Sequence, residues 1–121
     1  MDKKKKKLNV GIVGYRKYTN YDQFQKLVDD LKLDTGLIVS GGCVGTDTMA
    51  EIYAHKKGIP LIVHKPDWDK HTSKKAYLER NSLIVNDSDY LIAFLSPQSR
   101  GTQDSIRKAK LKNIPIKIYN I

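Results

Sequence analysis

Apolar positions along the chain fall into short blocks separated by amphipathic stretches. Leu8 to Val13 is an apolar run halted at Gly14, and it predicts a buried strand. From Asn20 to Leu33, Phe24, Leu27, Val28 and Leu31 recur at helical spacing, with Asn20 or Thr19 as the cap. Leu37-Ile38-Val39 predicts a second strand ending at Ser40-Gly41-Gly42, and a helix follows from about Thr46 to Lys57, stopped by Gly58. Ile59 to Val63 reads as a third strand, and the stretch from Lys65 to Lys75 as polar and irregular. Ala76 to about Asn86 reads as a helix with Leu78, Leu83 and Val85 available for packing. Tyr90 to Leu95 is the strongest strand signal; a loop from Ser96 to Gly101, a helix to about Lys112 and a fifth strand from Ile114 to Tyr119 complete the pattern.

Short apolar strands separated by single helices predict a parallel sheet covered on both faces. With right-handed crossovers the fold class is α/β: a Rossmann-like three-layer α/β/α sandwich with a mainly parallel sheet of about five strands. Ligands of such folds bind at the carboxyl ends of the strands, and the chemically unusual residues cluster there.

The chain's 121 residues fit one domain, with residues 1–7 as a disordered basic tail and 8–121 as a single folded unit. No apolar run approaches a membrane span, so no membrane partner is expected. The one cysteine, Cys43, leaves no internal disulfide and fits a reducing, intracellular compartment. A cytoplasmic location is expected, with a nuclear one left open by the lysine run. The net charge is +9, and removing residues 1–7 still leaves +5, which favours an anionic partner. With 18 lysines against four arginines, a solvated lysine-rich surface explains the same excess. The run Lys3 to Lys7 reads as a tail offering at most a weak, non-specific nucleic-acid contact.

Each strand end has a functional and a structural reading. Gly14 lets a ligand approach the first turn and Arg16 can clamp a phosphate; alternatively one makes a turn and the other is solvated. Ser40-Gly41-Gly42-Cys43-Val44-Gly45-Thr46-Asp47 runs into a helix and offers backbone N–H groups to an anion, with hydroxyls from Ser40 and Thr46. Asp47 either stabilises its own helix or accepts from a ribose hydroxyl. The loop lacks the lysine of a P-loop and the spacing of a dinucleotide fingerprint. Trp68 offers a surface for a base or plugs the core edge. His64, Asp67, Asp69 and His71 have no regular metal-ligand spacing, and neither a metal nor a cofactor is expected. Arg80 follows Leu78 and precedes Leu83, so it enters a partly buried face and needs an anionic partner, a ligand phosphate or a carboxylate such as Asp47. Ser96 to Thr102 forms a second loop ahead of a helix N-terminus.

Together, Gly14-Tyr15-Arg16-Lys17-Tyr18, Gly41-Gly42-Cys43-Val44-Gly45-Thr46-Asp47, Asp67-Trp68-Asp69-Lys70-His71, Arg80-Asn81 and Gly101-Thr102 resemble the SLOG superfamily of Rossmann-like domains. The resemblance covers about Val10 to Tyr119 and is nearest the small stand-alone YspA/YpsA-related branch. The superfamily includes the LOG phosphoribohydrolases, formerly called lysine-decarboxylase-like, and the DNA-processing protein DprA. It implies a nucleotide, nucleotide-sugar or related phosphorylated ligand at the glycine-rich strand ends, held for sensing or sequestration. Gly14, Arg16, Ser40, Gly41, Gly42, Gly45, Thr46, Asp47, Trp68, Arg80, Asn81, Gly101 and Thr102 are the expected ligand contacts.

Two rivals follow from the same resemblance. A LOG-like hydrolase of the N-glycosidic bond in nucleoside monophosphates would use Arg80 and a carboxylate. Ser105 stands at the expected glutamate position and Asp104 one residue before it, so Asp104 is the substitute. A DprA-like nucleic-acid binder would use the stretch Ser40 to Thr48 with the basic tail. Relatives often pair, so a homodimer sharing its site is a further expectation.

Overall fold

The computed structural model describes residues 7–69 and 73–121. The lysines before Lys7, together with Lys70 and His71, lie outside the described residues. Strands and helices alternate: β1 (Leu8–Gly14), α1 (Tyr21–Asp30), β2 (Thr35–Ser40), α2 (Thr46–Lys57), β3 (Leu61–Val63), α3 (Ser73–Asn86), β4 (Tyr90–Leu95), α4 (Arg100–Lys112) and β5 (Ile116–Asn120). All four strand pairings are parallel, in the order β3-β2-β1-β4-β5. The expected Rossmann-like sandwich is therefore present. The chain moves outward from β1 through β2 to β3, then returns to β4 on the other side of β1. The order thus reverses between β1 and β4, where a crevice opens at the strands' carboxyl ends.

The central strands alternate their side chains between two cores. Val10 and Ile12 of β1, with Ile92 and Phe94 of β4, pack with Phe24 and Val28 of α1 and with Met49, Ala50 and Tyr53 of α2. Val13, Leu91 and Ala93 face the other way, against Ile84 and Val85 of α3 and Ile106 and Ala109 of α4. Local chemistry sets several boundaries. The Asn20 side chain accepts from the Gln23 amide (3.1 Å) and caps α1. Gly58 ends α2 at φ 66°, and Asn113 ends α4 at φ 62°.

Several boundaries depart from the sequence reading. α1 stops at Asp30, because Lys32 turns to φ 50° and releases Leu33 from the helix. β3 is confined to Leu61–Val63, since the Ile59 amide is spent on Ala54 O, closing α2. β5 begins at Ile116, after the Pro115 carbonyl has accepted from Leu91. α3 begins at Ser73, inside the stretch read as irregular. α4 begins at Arg100, which moves Gly101 and Thr102 from the loop into its first turn. Leu78 and Leu83 are 37% and 41% exposed, not inward-facing. The buried stripe of α3 is instead Ala76, Arg80 and Ile84, four residues apart, flanked by Asn81 and Val85.

Candidate functional site

A cleft of about 420 Å³ lies over the carboxyl ends of β1 and β4. It is lined by residues 13–17 at the end of β1 and the turn after it, by Cys43 and Asp47 at the head of α2, by Arg80 and Asn81 of α3, and by residues 98–102 and Ser105 at the head of α4. Its volume falls in the small-molecule range. Four basic side chains border it, Arg16, Lys17, Arg80 and Arg100, against one carboxylate, Asp47.

Arg80 is the least ordinary of these residues. It is only 8% exposed. Its Nη1 donates to Gly41 O (2.7 Å) and, more weakly, to Cys43 Sγ (3.6 Å), and its Nε donates to Asn81 Oδ1 (3.0 Å). The guanidinium also lies over the Tyr77 ring, 5.4 Å from its centroid. Nη2 has no hydrogen-bond partner among the described residues, and no described carboxylate reaches ion-pair distance of Arg80. Withdrawing a guanidinium from water costs several kcal/mol, which neutral partners offset only in part. Asn81 fixes the geometry: while accepting from Arg80 it donates to Gly101 O (3.3 Å) and Asp104 Oδ2 (3.2 Å), tying α3 to the first turn of α4.

The two helix heads at the cleft differ. At α2, the Thr46 hydroxyl and amide both donate to Tyr15 O (2.9 and 3.4 Å), and the Cys43 amide donates to Asp47 Oδ2 (3.0 Å). A β-carbon on Gly45 would strike the Arg16 carbonyl, one on Gly41 the Arg80 guanidinium, and one on Gly42 Val63 Cγ1 (2.7 Å). The expected open cradle of Gly41, Gly42, Gly45 and Thr46 is thus largely filled by the protein itself. These glycines let Arg80, the first turn and β3 approach the main chain, and Thr46 clamps that turn. Gly14 does the same beneath Thr46, whose Oγ1 would lie 2.6 Å from an added β-carbon. Ser40 is fully buried, its hydroxyl unpartnered among the described residues, and it does not line the cleft.

At α4 the head is open. No side chain caps it: the Ser99 hydroxyl accepts from the Ser96 amide (3.1 Å) instead. Thr102 is 5% exposed and lines the cleft, and its hydroxyl makes no hydrogen bond among the described residues. The Gly101 and Thr102 amides at the positive end of a helix, with a hydroxyl and an arginine Nη2 that make no hydrogen bond among the described residues, together suit an anion.

Asp47 is 7% exposed, and burial pushes its carboxyl up to about 6 against the opposing pull of the Cys43 amide and Arg80. Asp104 lies outside the cleft lining. Although burial opposes ionisation, hydrogen bonds from Lys108, Arg107 and Asn81 win and hold its carboxyl below the usual range. Trp68 also stands apart, 53% exposed, its ring edge-on to Tyr77 at 5.0 Å, so it neither plugs the core nor lines the cleft. Tyr15, Lys17, Cys43, Gln98, Ser99, Arg100 and Ser105 line the cleft but were not among the expected contacts. Arg100 carried a legible signal, a cation directly after a Ser-Pro turn.

Residues 11–71 match the family model YAcAr, described as the YspA, cpYpsA-related SLOG family. The chain belongs to this family. No curated protein matches it. Among solved structures, this SLOG domain is similar to DNA processing protein A (DprA) from Streptococcus pneumoniae, with a TM-score of 0.74 and 18% identity. That match covers 93% of this chain and 50% of that one. DprA from Helicobacter pylori, described for its single-stranded DNA binding mode, gives 0.72 and 24%, covering 94% of this chain and 66% of that one. The chain therefore spans half to just under two-thirds of these neighbours, and at such identities the likeness is one of fold. Among the described residues no helix is long and apolar enough to cross a membrane.

Proposed function

We propose that this SLOG domain binds a nucleotide, nucleotide-sugar or related phosphorylated ligand in the β1/β4 cleft, for sensing or sequestration. The observation that carries the reading is the buried guanidinium of Arg80, which has no carboxylate at ion-pair distance and no hydrogen bond from Nη2 among the described residues. The phosphate sits against Arg80 and the head of α4, taking hydrogen bonds from the Gly101 and Thr102 amides and the Thr102 hydroxyl. Arg16 and Arg100 close over it from the rim, Asn81 holds Arg80 in place, and Asp47 accepts from a sugar hydroxyl. Melting temperature in the presence of adenosine, AMP, ADP and ADP-ribose tests this, because a ligand that prefers the native state raises it. The phosphorylated members raise it, adenosine does not, and Arg80→Met removes the response. A flat response across the panel contradicts the reading.

The fold likeness to DprA, together with the cationic cleft, favours one second reading: the same cleft takes a phosphate of single-stranded nucleic acid. Affinity for an oligonucleotide measured against salt separates the two. If deletion of residues 2–7 removes most of the affinity and its salt slope, the contact is tail electrostatics; if Arg80→Met removes it, the cleft is the site. The hydrolytic reading draws little support from the site. Asp104 is committed to two cations and an amide outside the cleft, and Ser105 Oγ is spent on Gly101 O (3.2 Å).

A further inference from the structure

Cys43 is the chain's only cysteine, and it stands half-buried in the cleft wall. Its sulfur lies 3.6 Å from Arg80 Nη1, on the same guanidinium whose Nη2 makes no hydrogen bond among the described residues. Thr102, nine-tenths buried and with no hydrogen bond from its hydroxyl among the described residues, lines the same cleft and points independently to a ligand there. An oxygen added to this sulfur would enter the cleft beside the cation to which a ligand phosphate is drawn.

We propose that Cys43 is a peroxide-oxidised switch: its sulfenate occupies the Arg80 seat and shuts out the anionic ligand. This rests on the ligand reading above. The Cys43 thiolate attacks one oxygen of a peroxide. The S–O bond forms as the O–O bond breaks, giving the sulfenic acid and hydroxide; the hydroxide takes the sulfenic acid's proton and leaves as water, and the sulfenate remains. Sulfur is oxidised and the peroxide is reduced. Arg80 Nη1, 3.6 Å from the sulfur, is placed to hold the sulfenate that follows. A low-molecular-weight thiol reverses the change: it attacks the sulfenyl sulfur and expels water, and a second thiol then displaces the resulting mixed disulfide.

The test treats the full chain with hydrogen peroxide and captures sulfenate with dimedone. Any adduct reports on Cys43, because no other cysteine exists. AMP affinity is measured by calorimetry before oxidation, after it and after reduction by dithiothreitol. Oxidation lowers AMP affinity by about tenfold or more, the loss of a charge-assisted contact, and reduction restores it. Arg80→Met slows dimedone capture several-fold. Cys43→Ser, compared with itself, binds AMP identically with and without peroxide. Absence of an adduct, or oxidised protein that binds AMP as the reduced protein does, overturns the switch and leaves the ligand reading intact. Reduced protein that binds none of the phosphorylated ligands removes the ligand reading, and the switch falls with it.

Discussion

Two glycines four residues apart in the β2–α2 loop part ways under the same substitution. In Gly41→Ala, the new β-carbon lands on Arg80 Nη1, 2.9 Å from Cζ and 3.0 Å from Asp47 Oδ2. The obstructing group is the end of a flexible side chain, so Arg80 swings aside and the backbone stays. What is lost is the charge-assisted bond to Gly41 O, worth about 1.5–3 kcal/mol, and with it the guanidinium's position. Carried into ligand binding, that range weakens Kd by about ten- to a hundredfold. In Gly45→Ala, the β-carbon instead meets the Arg16 carbonyl carbon and oxygen, which are main chain, at a residue held at φ 74°. Strain and clash together cost about 3 kcal/mol or more of stability. Thermal unfolding followed by circular dichroism and AMP titration calorimetry are run on both variants. Gly41→Ala melts lower by no more than that bond contributes and binds poorly, whereas Gly45→Ala melts lower still. A Gly41→Ala protein that binds AMP as the wild type does would refute the placement of Arg80 at the ligand.

Three other substitutions probe Asp47 and Ser40 beside this loop and Lys112 at the end of α4. Asp47 has its carboxyl raised to about 6 from 3.8, so the native state holds its proton more tightly than the unfolded chain does. The stability linked to that proton is present below about 4 and is lost as pH rises through 6, about 3 kcal/mol at most. The melting temperature of Asp47→Asn relative to wild type therefore climbs between pH 4 and pH 7, and a flat difference contradicts the burial argument. Lys112 Nζ donates to three carbonyls at the end of α3, Asn86 (2.7 Å), Val85 (3.0 Å) and Ser88 (3.2 Å), so Lys112→Met loses about 1–2 kcal/mol by urea unfolding without changing AMP affinity. Ser40→Ala removes a buried hydroxyl with no partner, and it raises stability by about 1 kcal/mol while leaving binding unchanged; a loss of affinity would show that this hydroxyl reaches the ligand.

The fold was legible because β1 and β4 are apolar on both faces, and helices with polar outer surfaces lie between the strands. The glycine and hydroxyl clusters at the strand ends marked the end of the sheet where the cleft lies. The choice of loop was not legible. Gly41, Gly42 and Gly45 read as an open cradle or as close packing, and the sequence does not show that Arg80, Arg16 O and Val63 lie against them. Arg80 was expected to enter a buried face on the strength of Leu78 and Leu83. It does so because Ala76 and Ile84 share its stripe, and the two leucines fall on the exposed side. Of the two carboxylates, Asp47 lines the cleft as expected and Asp104 does not. Asp104 is held by cations three and four residues ahead on its own helix, while Asp47, sheltered by its own loop, is the acid that faces the cleft.

The account's central claim is that an anion docks at the first turn of α4 beside Arg80. Amide proton–nitrogen spectra of the 15N-labelled protein, titrated with AMP, test it residue by residue. The predicted result is that the amides of Gly101 and Thr102 and the Arg80 side-chain Nε–H move together and saturate at one Kd. Shifts confined to Gly41–Gly45, or none in either loop, would contradict it.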